Sequence, residues 1–157
     1  MLPLETFKTV VASTPLVSID LVVKNSEGQV LLGKRINRPA QGYWFVPGGR
    51  VLKDEALEIA FERLLGAELA LDKQKAKFLG TYQHFYNDNA TEADFSTHYI
   101  VLAYEIIFNG CISDLPIAQH NEYQWFSQIE LLKNNEVHKH TKWYFQQLKV
   151  ADNSFCS

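Results

Sequence analysis

Hydrophobic residues recur along this chain at two spacings, and each spacing predicts a different element of secondary structure. Residues 4–12 carry apolar side chains at helical spacing, which predicts a short amphipathic helix. The apolar, β-branched run 16–24 and the run 30–35 enclose a polar turn, and this arrangement predicts a β-hairpin. Further strands are expected at residues 43–47, 78–85, 98–108 and 122–126, and further helices at residues 55–69, 127–132 and 138–148.

The intervals between these elements complete the predicted outline. Residues 86–95 are mostly polar and predict an exposed loop, and residues 115–121 predict a second loop. In the last helix Tyr144 and Leu148 are expected to face the core, and residues 149–157 are expected to be frayed. The succession of strands and helices predicts one α/β layered domain that takes in all 157 residues.

The stretch 43–69 joins a predicted strand, a glycine pair and a helix, and the rest of the chain is expected to be organised around it. Gly48 and Gly49 are expected to end the strand in a loop, because glycine tolerates the backbone angles of a sharp exit. Asp54 is expected to cap the helix that follows. Glu68 continues the apolar stripe of that helix, so its carboxylate either reaches water at the helix end or faces inward as a ligand.

Composition narrows the class of protein. The chain is 46% hydrophobic and 13% aromatic, as expected for a globular domain. The net charge of −3 argues against a nucleic-acid partner, and no apolar run approaches the about 20 residues of a membrane helix. The N-terminus lacks the pattern of a signal peptide, and Cys111 and Cys156 do not form a disulfide framework. We therefore expect a cytoplasmic protein with no membrane partner.

Three charged residues near the glycine pair have candidate chemistry. Arg50 directly follows the glycines and Arg35 ends the neighbouring hairpin strand, and two guanidinium groups suit a diphosphate. The alternative is that both are ordinary surface arginines. Asp20 interrupts an apolar strand, which is costly unless its carboxylate meets a hydroxyl or a cation.

The central stretch resembles the signature box of the Nudix hydrolases. That box is a glycine, five residues, a glutamate, seven residues, and then Arg-Glu-apolar-any-Glu-Glu-any-Gly-apolar. Six positions match it, namely Gly49, Glu55, Arg63, Leu65, Glu68 and Leu71. Three positions depart from it, because Leu64 and Ala67 stand where the box has glutamates and Ala70 stands where it has a glycine.

The degenerate box resembles one branch in particular, the GDP-mannose mannosyl hydrolases. The likeness extends through residues 13–18, 37–50, 83–86, 97–99 and 119–120, and so covers nearly the whole chain up to about residue 148. It implies an αβα sandwich with a mixed β-sheet, a homodimer and a GDP-sugar as the substrate. It also implies that Phe7 covers the nucleotide base across a dimer interface.

The resemblance implies a set of ligands for a single metal ion in each subunit. The ligands would be the Glu68 carboxylate, the backbone carbonyl of Gly48 and the side chain of Gln119, with Mg²⁺ as the expected ion and Mn²⁺ as an alternative. Because the glutamates expected at 64 and 67 are missing, a cluster of several ions is not expected. Arg63 is expected to pair with Glu55.

Histidines and a tyrosine supply the remaining candidates. The resemblance implies that His120 is the general base, although a lone loop histidine is otherwise usually solvated. His84 could donate a hydrogen bond to the leaving diphosphate or be a satisfied core histidine. Tyr99 could reach a phosphate oxygen or be an ordinary strand tyrosine. The resemblance implies that Asp20 contacts the sugar. Three histidines are interpreted as surface residues, namely His98, His138 and His140.

The expected function is Mg²⁺-dependent hydrolysis of GDP-mannose to mannose and GDP. Water would attack the anomeric carbon with inversion, and His120 would take its proton. Two alternatives stay open: an ordinary Nudix pyrophosphohydrolase that cuts between phosphates, and a non-catalytic module that binds nucleotide sugars. The sequence leaves the preferred hexose open, with GDP-glucose as a second substrate to consider.

Overall fold

The computed structural model of the chain describes residues 2–91 and 93–146. Within these residues, seven strands form one mixed sheet: β1 (Leu16–Lys24), β2 (Val30–Arg35), β3 (Trp44–Phe45), β4 (Gly48–Arg50), β5 (Lys77–Tyr86), β6 (Thr97–Ile107) and β7 (His120–Phe126). The helices of the same residues are α1 (Leu4–Ser13), α2 (Leu57–Leu69), α3 (Gln128–Lys133) and α4 (Lys139–Trp143), with a 3₁₀ turn at Ile112–Asp114. None of these helices is long and apolar enough to cross a bilayer.

Strand β1 is the centre of the sheet. It pairs in parallel with β6 along its whole length, from Leu16 opposite Tyr99 to Lys24 opposite Ile107. It pairs in antiparallel fashion with β4 and, at Lys24, with β2. Strands β3 and β7 both pair with β2, and β5 pairs with β6. Parallel and antiparallel pairs thus occur together, as the expected mixed sheet requires.

Alternation along β1 divides the core between the two faces of the sheet. Ile19 and Leu21 face helix α2, whose buried stripe packs on them. Val22 points to the opposite face and packs with Phe45 and with Leu131 of α3. Helices therefore cover both faces, and the α/β class expected from the sequence is confirmed.

Two expectations about the central stretch are wrong. Gly48 and Gly49 do not leave the sheet in a loop but belong to β4, directly beside β1. Asp54 does not cap α2, because it has a φ of 64° and the helix begins only at Leu57. The Glu55 carboxylate instead accepts a hydrogen bond from the backbone N–H of Leu52, 2.9 Å away. The segment before the helix is therefore closed by a side-chain turn.

The segment expected as an exposed loop at 86–95 is a loop in its described residues after Tyr86, although one of its side chains is buried, and the helix expected at 138–148 is found at Lys139–Trp143. Asn89 is 1% exposed; its amide donates to the carbonyls of Ala93 and Phe95, both at 2.7 Å. The hydrogen bonds of this buried asparagine hold the loop together, so the loop is not wholly exposed. The last helix, α4, ends before Tyr144, which packs in the core as expected. Two further expectations, for Leu148 and for residues 149–157, lie outside the described residues.

Candidate active site

A cleft of about 920 Å³ opens at the edge of the sheet where β1, β4 and the end of α2 meet. Nine of the ten site residues expected from the sequence line it: Phe7, Asp20, Arg35, Gly48, Arg50, Glu68, His84, Tyr99 and Gln119. The tenth, His120, lies beside the cleft and is described below. Residues scattered between positions 7 and 119 are thus brought to one place by the sheet.

Close approach of β1 and β4 sets the geometry of the cleft floor. Gly48 lies directly opposite Asp20 in the strand register. A Cβ atom added at Gly48 would lie 2.4 Å from the carbonyl oxygen of Ile19 and 2.8 Å from Oδ1 of Asp20. Only glycine fits here, so this glycine is required by strand packing and not by a turn.

Glu68 has the properties of an inward-facing ligand. It is 6% exposed, and its Oε2 atom makes no hydrogen bond within the described chain. Burial raises the pKa of its carboxyl to about 7, although the positive charge of Arg35 opposes this. Gln119 is exposed and lines the same cleft. An orphaned carboxylate oxygen in a cleft is what a cation would satisfy.

The donor set fits one hard cation that takes most of its ligands from substrate and water. Glu68, the carbonyl of Gly48 and the amide of Gln119 would supply oxygen atoms, which Mg²⁺ prefers. In the described parts of the chain, no three His, Cys, Asp or Glu side chains are grouped around a common point. Leu64 is buried against Gly49, and Ala67 lines the cleft without a charge.

His120 is a buried strand residue and not the loop residue expected from the sequence. It begins β7, opposite Arg35, and its ring is packed over Gly33, where an added Cβ would lie 2.5 Å from the ring. The residue is 2% exposed, and neither ring nitrogen has a hydrogen bond within the described residues. Burial, reinforced by the charge of Arg35, lowers its pKa to about 4. The ring is therefore neutral at physiological pH and able to accept a proton.

Two of the four arginines that line the cleft lie against aromatic rings. The guanidinium carbon of Arg35 lies 5.8 Å from the centre of the Phe45 ring. That of Arg50 lies 4.6 Å from the centre of the Phe7 ring. Stacking on an aromatic face orients a guanidinium and leaves its N–H groups free for phosphate oxygens. Phe7 thus supports an arginine of its own chain, and its contact with a nucleotide base stays a prediction.

Arg63 ties α2 to the cleft wall, as the expected pairing with Glu55 requires. Its guanidinium donates to both carboxylate oxygens of Glu55, at 2.7 and 2.8 Å, and to the carbonyl of Arg50 at 2.8 Å. This contact with Arg63, followed by the Leu52 N–H, lowers the pKa of Glu55 to about 2. The helix and β4 are held at a fixed distance as a result.

A cluster of aromatic rings and histidines forms the wall behind Asp20. The Tyr144 hydroxyl donates to Oδ2 of Asp20 at 2.5 Å and lies 3.3 Å from Nε2 of His84. Burial raises the pKa of Asp20 to about 7, against the effects of Tyr144 and Arg35. His84 stacks on His140, with ring centres 4.3 Å apart. The sequence predicted that Tyr144 faces the core but gave no sign of its contact with Asp20.

The interpretation of three histidines as surface residues is wrong. His140 is 1% exposed, and His138 is half-buried between Tyr43 and Phe45. His98 is also half-buried and stacks on Phe85. The error has a physical cause: a lone histidine has no periodic signature, so its burial depends on where α4 and β6 dock.

Cleft residues that the sequence analysis did not single out come from loops and from strands β1 and β5. They include Ser18, Arg38, Tyr86, Ala90 and Thr91. Thr91 is positioned by Asn89, whose side-chain oxygen accepts from its N–H at 2.7 Å. No periodicity marks such residues, because loops meet the cleft through their own local hydrogen bonds.

Comparison of the chain with known proteins identifies its family. Residues 14–147 match the profile of the NUDIX domain. The chain therefore belongs to the Nudix hydrolase family. It is 41% identical over 125 residues to the low-salt glycan biosynthesis protein Agl8 of Haloferax volcanii, an alignment that covers 80% of this chain and 79% of that protein.

Solved structures share the fold at lower identity. The MutT Nudix hydrolase of Burkholderia pseudomallei superposes with a TM-score of 0.69 at 24% identity, covering 87% of this chain and 99% of that one. The Nudix domain of NrtR from Shewanella oneidensis, solved with ADP-ribose, gives a TM-score of 0.65 at 21% identity, covering 92% and 96%. At these identities the likeness establishes the fold alone.

Proposed function

We propose that this protein hydrolyses a GDP-sugar, with GDP-mannose as the first candidate, to the free sugar and GDP. The observation that carries the proposal is the pairing of a depleted Nudix box with a neutral histidine. Leu64 and Ala67 remove two carboxylates that would otherwise serve chemistry at phosphorus. Glu68 stays, and Nδ1 of His120 lies 3.9 Å from its Oε2. A base outside the box is thus available where the box itself has none.

The positively charged groups in the cleft suit the diphosphate of the proposed substrate. Arg35 and Arg50 present guanidinium groups that are oriented by aromatic rings, and guanidinium binds phosphate oxygens in bidentate fashion. Glu68, Gly48 and Gln119 would hold one Mg²⁺, which when bound neutralises charge on the diphosphate. The arginines stabilise the negative charge that grows on the bridging oxygen as the sugar departs.

The proposed step exchanges two bonds at the anomeric carbon. The oxygen of water forms a bond to that carbon from one face, and the bond to the phosphate oxygen breaks on the other face with inversion. GDP leaves with the electron pair of the broken bond, and His120 takes the proton of the attacking water. Burial keeps the His120 ring unprotonated in the resting protein, and neither ring nitrogen is used by a described residue, so a ring nitrogen is free to take this proton. Positioning of the two reactants supplies much of the remaining rate.

The name of the relative Agl8 supports a sugar nucleotide as the substrate. Agl8 is named for glycan biosynthesis, and sugar nucleotides are the donors from which glycans are built. Acceptors at the cleft, Asp20 among them, suit sugar hydroxyl groups. We further expect a cytoplasmic homodimer with one Mg²⁺ in each subunit, Mn²⁺ being the alternative.

The test is a product analysis in ¹⁸O-labelled water. The protein is incubated with GDP-mannose and Mg²⁺, and parallel reactions contain GDP-glucose. Label in free mannose, unlabelled GDP and an initial β-anomer are expected. Label in a phosphate product with release of GMP would instead show attack at phosphorus, as in an ordinary pyrophosphohydrolase. Tight binding without turnover would leave a binding module as the function.

A further inference from the structure

The Tyr144 hydroxyl lies between two residues of the cleft that are far apart in sequence. It is 2.5 Å from Oδ2 of Asp20 and 3.3 Å from Nε2 of His84. Burial raises the pKa of this phenol well above its ordinary value, so the hydroxyl keeps its one proton. The Asp20 carboxyl is ionised above a pH of about 7, and an ionised carboxylate can only accept a hydrogen bond. Tyr144 therefore donates to Asp20.

This assignment determines the proton on His84. Once Tyr144 has given its only proton to Asp20, its oxygen can only accept from Nε2 of His84. The His84 ring must then carry its proton on Nε2. A neutral imidazole has one N–H, so Nδ1 is left as an acceptor. Burial holds the pKa of His84 near 3, which keeps the ring neutral.

The remaining surroundings of His84 leave Nδ1 available to a ligand. One face of the ring stacks on His140 at 4.3 Å, with an angle of 12° between the planes, so the ring is held in place. Among the described residues, the hydrogen-bond partner of the His84 ring is Tyr144, which lies at Nε2 and not at Nδ1. Both His84 and Asp20 line the cleft.

We propose that Tyr144 is a positioning residue that holds His84 as its Nε2–H tautomer, so that His84 and Asp20 present hydrogen-bond acceptors to the sugar end of the cleft. The inference rests on the proposed function for the identity of the ligand. Two acceptors select hydroxyl groups and disfavour a phosphate oxygen. The expectation that His84 donates to the leaving diphosphate is replaced, because its N–H is already used by Tyr144.

The tautomer can be measured without turnover. Ring ¹⁵N chemical shifts of the ¹⁵N-histidine-labelled protein distinguish a protonated from an unprotonated nitrogen, and a His84→Gln variant assigns the signals. At pH 8.5, where Asp20 is ionised, we expect Nε2–H for His84 in the unaltered protein and a mixture of tautomers in Tyr144→Phe. An Nδ1–H tautomer in the unaltered protein would overturn the inference. This outcome is independent of whether GDP-mannose is hydrolysed.

Ligand binding gives a second readout. Tyr144→Phe keeps the ring that packs edge-on against Tyr82, with centres 4.8 Å apart. We expect it to weaken binding of the GDP-sugar by about tenfold, the effect of losing an oriented polar contact, while GDP binding changes less than twofold. Calorimetric titration of both ligands measures this. Equal losses for GDP and the GDP-sugar would mean that Tyr144 has only a structural role.

A matched control is available in the same cluster. Tyr82→Phe removes a hydroxyl that makes no hydrogen bond to any described residue, from a ring 5% exposed. We expect the His84 tautomer of this variant, and its affinities for GDP and for the GDP-sugar, to be the same as those of the unaltered protein. If Tyr82→Phe also bound the GDP-sugar about tenfold more weakly, the cluster would respond to the loss of any hydroxyl. The positioning role would then no longer be assigned to Tyr144. If no sugar is released in the product assay but the tautomer is Nε2–H, only the proposed function fails.

Discussion

Nδ1 of His120 and Oε2 of Glu68 lie 3.9 Å apart, and neither atom has a hydrogen bond within the described chain. Both residues are almost completely buried. Burial raises the pKa of Glu68 to about 7 and lowers that of His120 to about 4, so a shared proton resides on the carboxyl and not on the imidazole. Below a pH of about 7 the pair therefore consists of a protonated carboxyl beside a neutral imidazole, and a cation that binds Glu68 would displace the carboxyl proton.

Replacing the base tests this arrangement directly. We expect His120→Gln to lower kcat by about 10² to 10⁴-fold, the usual contribution of a positioned general base. KM should change less than threefold, because the diphosphate contacts of Arg35 and Arg50 remain. Steady-state kinetics with GDP-mannose measure both constants. His98→Gln is the control, since His98 stacks on Phe85 and does not line the cleft. Full activity of His120→Gln would exclude it as the base.

Gly33 lies directly against the His120 side chain. The importance of this contact for catalysis can be tested without changing the histidine. A Cβ at Gly33 would lie 2.5 and 2.6 Å from two ring atoms of His120 and 2.9 Å from its Cβ, closer than such contacts occur. We expect Gly33→Ala to displace the ring and to lower kcat by about tenfold or more, since small misplacements are costly in catalysis. Gly66→Ala is the control, because its Cβ meets only the carbonyl of Leu71 at 3.9 Å. Equal activity of the two variants would contradict the packing argument.

Glu68 carries the expected metal dependence. Removal of divalent ions with EDTA should abolish turnover, and added Mg²⁺ should restore it. We expect Glu68→Gln to raise the Mg²⁺ concentration for half-maximal activity by about tenfold or more, since a charged ligand is lost. Glu58→Gln, an exposed change on the same helix, should leave that concentration unaltered. An unchanged Mg²⁺ requirement in Glu68→Gln would remove this residue from the ligand set.

The sequence predicted local elements better than it predicted contacts. The apolar run of β1 gave its bounds correctly, because burial on both faces leaves a continuous apolar pattern. The burial of His120 was not predictable, since it depends on β7 pairing with β2. The contact between Tyr144 and Asp20 spans 124 positions in the chain and depends on the docking of α4. Glu68, Arg35 and Arg50 were singled out from their positions in the sequence, whereas Gly48 and Gln119 were expected only from the family resemblance, which includes tertiary information that periodicity lacks.

Ala70 is a strained position that a single substitution should relieve. It follows the last residue of α2 and has a φ of 53° in the left-handed region, where the family pattern has glycine. A non-glycine residue pays about 1 to 2 kcal/mol there, whereas glycine costs about 0.5 to 1 kcal/mol of chain entropy. We expect Ala70→Gly to raise the free energy of unfolding by about 0.5 to 1 kcal/mol, as measured in urea. A loss of stability would show that the left-handed cap is not under strain.

Buried neutral histidines make stability fall with acidity, and His140 isolates the effect. Burial, and then the charges of His84, His138 and Lys139, lower the pKa of His140 to about 2. Between its ordinary pKa of about 6.5 and that value, the unfolded chain binds a proton that the native chain does not. Its stabilising effect is therefore complete above pH 6.5 and is lost as the pH falls.

Each such histidine contributes a slope of about 1.4 kcal/mol per pH unit to the free energy of unfolding. His140→Gln has no titratable ring, so we expect its slope between pH 6 and 4 to be smaller by about that amount. Urea unfolding at pH 6, 5 and 4 measures the slopes, and any constant loss of packing cancels between them. At pH 8 to 9 the two proteins should have equal slopes, because a histidine is neutral there in both states. Equal slopes below pH 6 would mean that His140 is already protonated in the native protein.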